Sequence, residues 1–167
     1  MKYFILLILF LVGMQNYRIF AQGPNGKNFG FGIILGEPTG FTGKYWTNPQ
    51  NAIEFNIGTS YFGKPRIDFN YLWHFNAFRS SIVELFAGPG LVMGFGEGKG
   101  FWYEWRKDKF YYRSGDGIGL AVSGLFGLNI IPRDTPLEIF LEAGVLIGLA
   151  PDFGSAGNLA LGVRFYP

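Results

Sequence analysis

The sequence predicts an all-β protein, an eight-stranded antiparallel up-and-down transmembrane β-barrel. Three observations lead to this prediction: an N-terminal export signal, apolar residues that alternate with polar or small ones, and a scarcity of charge. Charged residues make up 16% of the 167 residues, whereas they make up about 25% of an average soluble domain. Hydrophobic residues make up 49% and aromatic residues 19%, which suits a surface that faces lipid.

The charge balance and the absence of cysteine exclude several functions. The 14 lysines and arginines include Lys2 and Arg18 of the predicted leader, so the remaining cations equal the 12 anions in number. This balance argues against a nucleic-acid partner. Without cysteine the chain has no disulfide, thiolate nucleophile, lipoprotein anchor or cysteine-based metal site. The 26 glycines follow no tripeptide period, which is typical of a tightly turned all-β chain.

Residues 1–21 are predicted to be a signal peptide, and residues 22–167 the barrel. Lys2 gives the leader a positive start, residues 3–14 are an apolar run, and Ala21 is a small residue suited to the cleavage position. The alternative is a retained membrane anchor, but the apolar run is shorter than the ~20 residues that a spanning helix needs. No later segment could serve as such a helix, so we expect the chain to enter a membrane as strands.

Alternation with a period of two marks the strands. In residues 65–75, for example, Ile67 and Phe69 fall on one face, and Arg66 and Asp68 fall on the other. The eight predicted strands cover residues 28–36, 41–47, 52–62, 65–75, 81–95, 117–131, 137–149 and 158–166. Most of the connections between them are too short for crossover helices, so neighbouring strands must be antiparallel.

The alternation does not by itself decide which face of the barrel points outward. A secreted, soluble, lipocalin-like binder of small ligands would bury the apolar face, whereas a membrane barrel would present it to lipid. The other face is crowded with Gly, Ala and Ser, which suit a narrow lumen and would make a poor water-facing surface. Together with the export signal and the scarcity of charge, this favours the bacterial outer membrane.

Two stretches of the chain carry a resemblance to a known family. GIILGEPTGFTGKYW (residues 32–46) and LEIFLE (residues 137–142) resemble an uncharacterised spirochaetal family of eight-stranded outer-membrane barrels. The last strand resembles the assembly signal of small outer-membrane barrels, with Gly162 followed by Phe165, but it departs from the pattern at Pro167, where an aromatic residue is usual. The resemblance implies outer-membrane lipid and the barrel-assembly machinery as partners, and we expect a monomer.

Nine ionisable side chains fall on the predicted inward face. They are Lys44, Glu54, Arg66, Asp68, His74, Glu84, Glu138, Glu142 and Arg164. Apart from the histidine they comprise three cations and five anions. Unpaired charge is costly in such an interior, so we expect His74, a protonated carboxylate or solvation at the strand ends to absorb the excess. The predicted arrangement is a lumen charge network in which Arg164 faces Glu142 across the last hairpin.

No segment carries a clear signature of catalysis, of a cofactor or of a metal. The glycine-rich stretch 94–100 lacks the first glycine and the final Ser or Thr of a phosphate-binding loop. Glu138 and Glu142 would need a groove to act as a glycosidase pair, and side chains fill an eight-stranded interior. For the same reason a pore is disfavoured. We therefore predict no enzyme; the alternative is a lipid-modifying enzyme that uses His74, the single histidine.

Residues 96–116 are the candidate for function. Their aromatic runs flank a charged centre, which predicts a β-hairpin beyond the membrane. The predicted partner-binding residues are Trp102, Tyr103, Trp105, Arg106, Lys107, Lys109, Tyr111, Tyr112 and Arg113. Tyr, Trp and Arg dominate binding hot spots, which predicts a non-enzymatic surface protein that contacts an extracellular or host protein. An aromatic girdle at the lipid headgroups, with an inert hairpin and a structural membrane role, is the alternative.

Overall fold

The computed structural model of the protein describes residues 24–96, 101–104, 109–112, 117–151 and 153–167, with the backbone alone for 25, 101–104 and 109–112. The predicted signal peptide, residues 1–21, lies outside the described residues. A single 3-10 turn at Pro24–Gly26 precedes the first strand. Among the described residues, no helix is both long enough and apolar enough to cross a lipid bilayer.

Ten strands make up the described fold. In chain order they are β1 (Phe29–Gly36), β2 (Thr39–Asn48), β3 (Asn51–Ser60), β4 (Gly63–Phe75), β5 (Val83–Gly94), β6 (Phe101–Glu104), β7 (Lys109–Tyr112), β8 (Gly119–Ile130), β9 (Leu137–Ala150) and β10 (Gly154–Phe165). Eight of them, all except β6 and β7, pair in the order β1-β2-β3-β4-β5-β8-β9-β10, and every pairing is antiparallel.

The pairing of β1 with β10 closes the sheet into a barrel. It runs from Phe31 opposite Phe165 to Gly36 opposite Ala160. Each of the eight strands therefore has a neighbour on both sides, and the strands of the barrel follow one another around it in chain order. The predicted fold, an eight-stranded antiparallel up-and-down barrel, is confirmed.

The exterior of the barrel is apolar and the interior is largely polar. Phe41 is 70% exposed and Leu159 is 63% exposed, whereas Arg66, Arg164 and Lys44 are each 2% exposed or less. Among the described side chains of the eight barrel strands, Lys64 is the one charged residue that is exposed. A barrel with this distribution cannot be covered by water over its middle, because it would expose a continuous apolar surface. The apolar exterior of the barrel is instead suited to contact with lipid.

The two ends of the barrel differ. At the end where the chain enters β1 and leaves β10, here called the termini end, the turns are residues 49–50, 76–82 and 131–136; at the opposite, hairpin end they are residues 37–38, 61–62 and 151–153. Exposed aromatic side chains of β1, β2, β4 and β10 form a partial belt at the termini end, here called the aromatic belt: Phe29, Phe31, Tyr45, Tyr71, Trp73, Phe75 and Phe165. Such belts mark the level of the lipid headgroups.

Three clusters of buried side chains fill the interior. The first contains Trp46, Ala52 and Tyr166; the second contains Ile34, Leu72, Phe86, Leu125, Phe140 and Ala160; the third contains Phe62, Val92, Ala121 and Leu146. Ile34, Leu72 and Phe86 have no exposed surface at all. The described side chains thus occlude the lumen, as is usual for barrels of eight strands.

Glycines on the inward face make room for the large aromatic rings. A Cβ atom added at Gly30 would lie 2.6 Å from the ring of Tyr166, and one added at Gly162 would lie 2.4 Å from the ring of Phe140. Both distances are shorter than any ordinary carbon–carbon contact. The high glycine content therefore serves packing in the lumen as well as the turns.

The last strand begins earlier than the sequence predicts. Its predicted start is residue 158, but β10 begins at Gly154, so the connection from β9 is residues 151–153. Gly154, Ser155, Ala156 and Gly157 have the composition of a turn, yet they continue the strand. They continue the strand because they pair with residues 145–148 of β9, and Ala156 packs against the third interior cluster.

This difference changes the register of the last hairpin. Arg164 pairs with Glu138, and Glu142 pairs with Ala160. The predicted pairing of Arg164 with Glu142 is therefore wrong by four residues along β9. Inward and outward faces are unchanged, because a shift by an even number of residues keeps each side chain on its own face.

Candidate functional site

The lumen charge network is centred on Glu138 of β9. Its Oε1 atom lies 3.0 Å from Lys44 Nζ and 2.8 Å from Arg164 Nη1. Its Oε2 atom accepts a hydrogen bond from the Tyr166 hydroxyl, which in turn accepts one from Trp46 Nε1 at 3.1 Å. Burial, and then the neighbouring Glu138 carboxylate, raise the pKa of Tyr166, so the hydroxyl keeps its proton and donates it. Lys44, Arg164, Tyr166 and Trp46 are all buried, and buried polar atoms need hydrogen-bond partners.

Arg164 connects this centre to β2 and β3, which lie beyond β1 in the barrel wall. Its guanidinium donates to Thr42 Oγ1 from Nε at 3.0 Å and from Nη2 at 2.8 Å, and it also forms an ion pair with Glu54. The guanidinium carbon lies 3.8 Å from the centroid of the Phe140 ring. A planar cation with several donors can serve two carboxylates and a ring face at once, which an ammonium cannot do.

Amide side chains complete the network. Glu54 Oε1 accepts from Asn56 Nδ2 and from Asn70 Nδ2, each at 3.0 Å. The Asn129 amide is oriented so that both its nitrogen and its oxygen form hydrogen bonds. Its nitrogen donates to Glu138 Oε1 at 3.2 Å, and its oxygen accepts from Lys44 Nζ at 2.9 Å. Sequence reasoning missed these amides, together with Thr42, because uncharged polar residues on an inward face look the same whether they bridge charges or merely fill space.

His74 lies among rings and an amide. Its ring centroid is 4.2 Å from that of Trp46 and 5.7 Å from that of Phe86, and its Nε2 atom donates to the oriented Asn129 oxygen at 3.3 Å. Its Nδ1 atom is buried without a hydrogen-bond partner among the described residues. Neither a serine hydroxyl nor a carboxylate bonds to it within that part of the chain, so the described geometry offers no nucleophile–base pair.

A second polar cluster lies at the hairpin end. Arg66 Nε lies 2.7 Å from Asp68 Oδ1, and Arg66 Nη1 donates to Ser60 Oγ at 3.2 Å and to Asn158 Oδ1 at 3.3 Å. The Tyr61 hydroxyl donates to the same Asn158 oxygen at 2.7 Å. Burial raises the pKa of Tyr61, in the turn beyond β3, to about 12. The cluster joins the turn at residues 61–62 to β10.

Two carboxylates remain without an ion pair in the described structure. Glu84 Oε2 and Glu142 Oε2 are both buried and have no hydrogen-bond partner. Their number equals the excess of anions over cations among the inward residues. The structure thus identifies which carboxylates carry the excess: Glu138, Glu54 and Asp68 are paired, and Glu84 and Glu142 are not.

The described backbone of the candidate binding segment is a hairpin. β6 and β7 are antiparallel, with Phe101 opposite Tyr112 and Glu104 opposite Lys109. Of the predicted partner-binding residues, these strands contain Trp102, Tyr103, Lys109, Tyr111 and Tyr112, whereas Trp105, Arg106, Lys107 and Arg113 lie outside the described residues.

The hairpin is attached to β10, the last strand of the barrel, through its own first strand, β6. The sequence did not predict this attachment. Glu104 of β6 pairs with Gly154 of β10, and Tyr103 pairs with Ser155. β1 pairs with β10 no further than Ala160, so β6 occupies part of the edge that β1 leaves open at the hairpin end. Such an open strand edge carries unpaired N–H and C=O groups, and β6 covers two residues of it.

No described arrangement of side chains could hold a metal ion through three or more His, Asp or Glu residues. The described lumen pairs most of its fixed charges with one another. A closed barrel with an apolar exterior and a filled, charge-paired interior defines the class of transmembrane β-barrels.

Comparisons with known proteins agree with that class. The chain is similar to the crystal structure of the N-terminal β-barrel domain of Pseudomonas aeruginosa OprF, with a TM-score of 0.58 and 12% identity over 83% of this chain and 96% of that one. It also matches the crystal structure of neisserial surface protein A (NspA), with a TM-score of 0.46 and 12% identity over 84% of this chain and 95% of that one. At such identity the likeness to OprF shows the fold alone. No family model and no curated protein matches the sequence.

Proposed function

We propose that the protein is a non-enzymatic barrel of the bacterial outer membrane that presents the hairpin of residues 96–116 to an extracellular or host protein. The predicted signal peptide and the apolar exterior support the location. The aromatic belt at the termini end supports it as well, because it gives the barrel a defined depth in a bilayer. The similarity in fold to the OprF barrel domain is consistent with it.

One observation carries the binding role: the interior is filled, so the parts of the molecule that can contact other molecules are its two ends. Ile34, Leu72 and Phe86 are buried completely, and charge pairs occupy the lumen on the side of the termini. At the opposite end the longest connection, between β5 and β8, forms a hairpin that continues the sheet at the edge of β10. A hairpin anchored to a rigid sheet loses little conformational freedom on binding.

The composition of the hairpin suits a protein partner. Its aromatic side chains would supply large contact areas with few rotatable bonds, and its arginines and lysines would supply charged hydrogen bonds and attract acidic surfaces. The non-enzymatic part of the proposal is supported by the surroundings of His74, which contacts two rings and an amide and has neither a serine hydroxyl nor a carboxylate bonded to it among the described residues.

The test uses cells that display the full-length protein and their adherence to host-cell monolayers. In one variant, Trp102, Trp105 and Tyr111 are replaced by serine; in a second, Arg106, Lys107 and Lys109 are replaced by glutamine. We expect both to lose adherence by about tenfold or more. Lys64→Gln, a charge removal on the hairpin end but outside the hairpin, is the control and is expected to change nothing.

The same variants separate binding from an aromatic girdle. If the three aromatic side chains only contact lipid headgroups, the serine variant keeps its adherence and loses stability in the membrane instead. Retained adherence in both variants, at equal surface display, would contradict the proposed binding role.

A further inference from the structure

The termini end contains a cleft that the proposed function does not use. It has a volume of about 350 Å³ and lies between the turn of residues 76–82 and the start of the turn of residues 131–136. Its polar lining consists of Asn76, Arg79, Ser80, Ser81 and Glu84. The volume is in the range of sites that bind small molecules or the headgroup of a lipid.

The walls of the cleft are held in place by their own hydrogen bonds. Asn76 Oδ1 accepts from the backbone N–H of Ser80 at 2.8 Å, and Ser80 Oγ accepts from the backbone N–H groups of Ile82 and Val83, each at 3.1 Å. The two turns are joined by a hydrogen bond from Ile131 N to Ile82 O at 2.7 Å. The cleft is therefore formed before any ligand arrives, which reduces the entropy cost of binding.

Two side chains of opposite charge, Arg79 and Glu84, line this cleft and form no ion pair with each other. Among the described residues, neither Arg79 nor Glu84 forms an ion pair, and Glu84 Oε2 has no hydrogen-bond partner. Glu84 is also one of the two excess carboxylates of the lumen. Arg79 has φ = 52°, in the left-handed region that non-glycine residues seldom adopt. The side chains of Arg79 and Glu84 therefore both line the cleft with their charges available to a ligand that carries an anion and a cation.

The depth of the cleft in the bilayer indicates the source of its ligand. The aromatic belt, which includes Trp73 and Phe75 at the end of β4, lies at the same end of the barrel. Phe78, next to Arg79 in the turn, is 57% exposed, and Ile82 is 36% exposed. Charged groups in a cleft with exposed apolar side chains beside it match the boundary between lipid headgroups and acyl chains.

We propose that this cleft binds the headgroup of an ethanolamine phospholipid, with the phosphate at Arg79 and the primary ammonium at Glu84. The ammonium would supply the counter-charge that Glu84 lacks, and the guanidinium would donate to two phosphate oxygens at once. Of the remaining lining, the Asn76 amide and Ser80 Oγ are bonded within their own turn, and Ser81 Oγ accepts from Arg133 Nε at 3.1 Å, which places a second guanidinium beside the lining. The acyl chains would lie along the exposed side chains of Phe78 and Ile82.

The experiment counts lipids that stay bound to the intact barrel in native mass spectrometry from detergent micelles. The probes are phosphatidylethanolamine, phosphatidylcholine and phosphatidylglycerol with identical acyl chains, and soluble phosphoethanolamine. We expect one phosphatidylethanolamine to bind at least tenfold more tightly than the other two lipids. Phosphatidylcholine has no N–H donor for Glu84, and phosphatidylglycerol has no cation.

Two variants with matched controls test the residues. Glu84→Gln is expected to abolish the preference for ethanolamine over choline, whereas Glu142→Gln, which removes the other unpaired carboxylate away from the cleft, leaves it intact. Arg79→Gln is expected to weaken all three lipids at least tenfold, whereas Lys64→Gln, the same change of charge at the hairpin end, does not.

The outcomes separate the possible ligands. Tight binding of soluble phosphoethanolamine without a preference among the lipids would overturn the proposal in favour of a free small molecule. Equal retention of the three lipids, or an unchanged preference in Glu84→Gln, would overturn it altogether. Neither result bears on adherence through the hairpin, which lies at the other end of the barrel.

Discussion

Arg164 Nη1 lies 2.8 Å from Glu138 Oε1, on residues that are direct partners in the pairing of β10 with β9. The same guanidinium also pairs with Glu54 of β3, so one cation joins carboxylates from two different parts of the barrel wall. Both carboxylates and the guanidinium have fully buried side chains. The interaction therefore ties the last strands to the first ones from inside the lumen.

Replacing Arg164 by methionine should destabilise the barrel strongly. The change leaves two buried carboxylates without their shared cation, and removing one partner of a buried ion pair costs about 3–5 kcal/mol. The measurement is urea-induced unfolding of the barrel in lipid vesicles. The double variant Arg164→Met, Glu138→Gln should recover part of the loss. A single variant as stable as the unchanged protein would contradict this role of Arg164.

Replacing Glu142 by glutamine should leave stability unchanged or raise it. Glu142 Oε2 is buried without a partner, and the residue pairs with Ala160 and not with Arg164. Glutamine keeps the shape and removes a charge whose burial is uncompensated, so a gain of about 1–3 kcal/mol is the upper expectation. The same urea unfolding measures it. A loss comparable to that of Arg164→Met would instead indicate that the two residues pair.

Adding a methyl group at Gly30 should destabilise the termini end. The Cβ of alanine would lie 2.6 Å from the ring of Tyr166, which Trp46 and Glu138 hold in place through its hydroxyl. Overpacking of this kind costs about 1–3 kcal/mol. Gly157→Ala is the matched control, because its Cβ would meet nothing within 4 Å. The difference in folded fraction between the two variants on an unboiled detergent gel checks the prediction.

Stability at alkaline pH should depend on Tyr61. Its pKa is about 12 in the folded barrel and about 10 when unfolded. Because the folded state binds the proton more tightly, the contribution is fully present below pH ~10 and is lost as the pH rises to ~12. The corresponding free energy is about 2–3 kcal/mol. Tyr61→Phe should therefore lose less stability than the unchanged protein over this interval, as measured by unfolding at fixed pH values; equal losses would contradict the assignment.

Protease added to intact cells should cut first between residues 96 and 116. This connection is long and rich in lysine and arginine, and under the proposed orientation it faces outward. Arg133, in the turn at the opposite end, should be protected. The order of fragments is read by mass spectrometry. First cleavage at Arg133 would invert the orientation of the barrel.

Much of the fold can be predicted from the sequence, but the register of the last hairpin, between β9 and β10, cannot. Alternation alone places both Arg164 and Glu138 on the inward face, because a strand has only two faces. It does not decide where β10 begins, since Gly154 and Gly157 suit a turn as well as a strand. The register, and with it the partner of Arg164, depends on that choice.

The site shows the same limit for a different reason. The charged residues of the lumen stand out because charge is rare in a lipid-facing chain, but Thr42 and Asn129 do not, although both bond to the charged centre. The pairing of β6 with Gly154 could not be predicted from the sequence either, because backbone pairing between distant segments leaves no periodic pattern in the residues.

The attachment of the hairpin to β10 has a consequence for the order of events in biogenesis. Gly154 and Ser155 belong to the last of the eight barrel strands to be synthesised, whereas β6 precedes them by about fifty residues. The hairpin can acquire its anchor only after β10 has joined the barrel wall. Incomplete barrels would therefore lack a fixed hairpin, and a partner that requires the anchored form would distinguish finished molecules from unfinished ones.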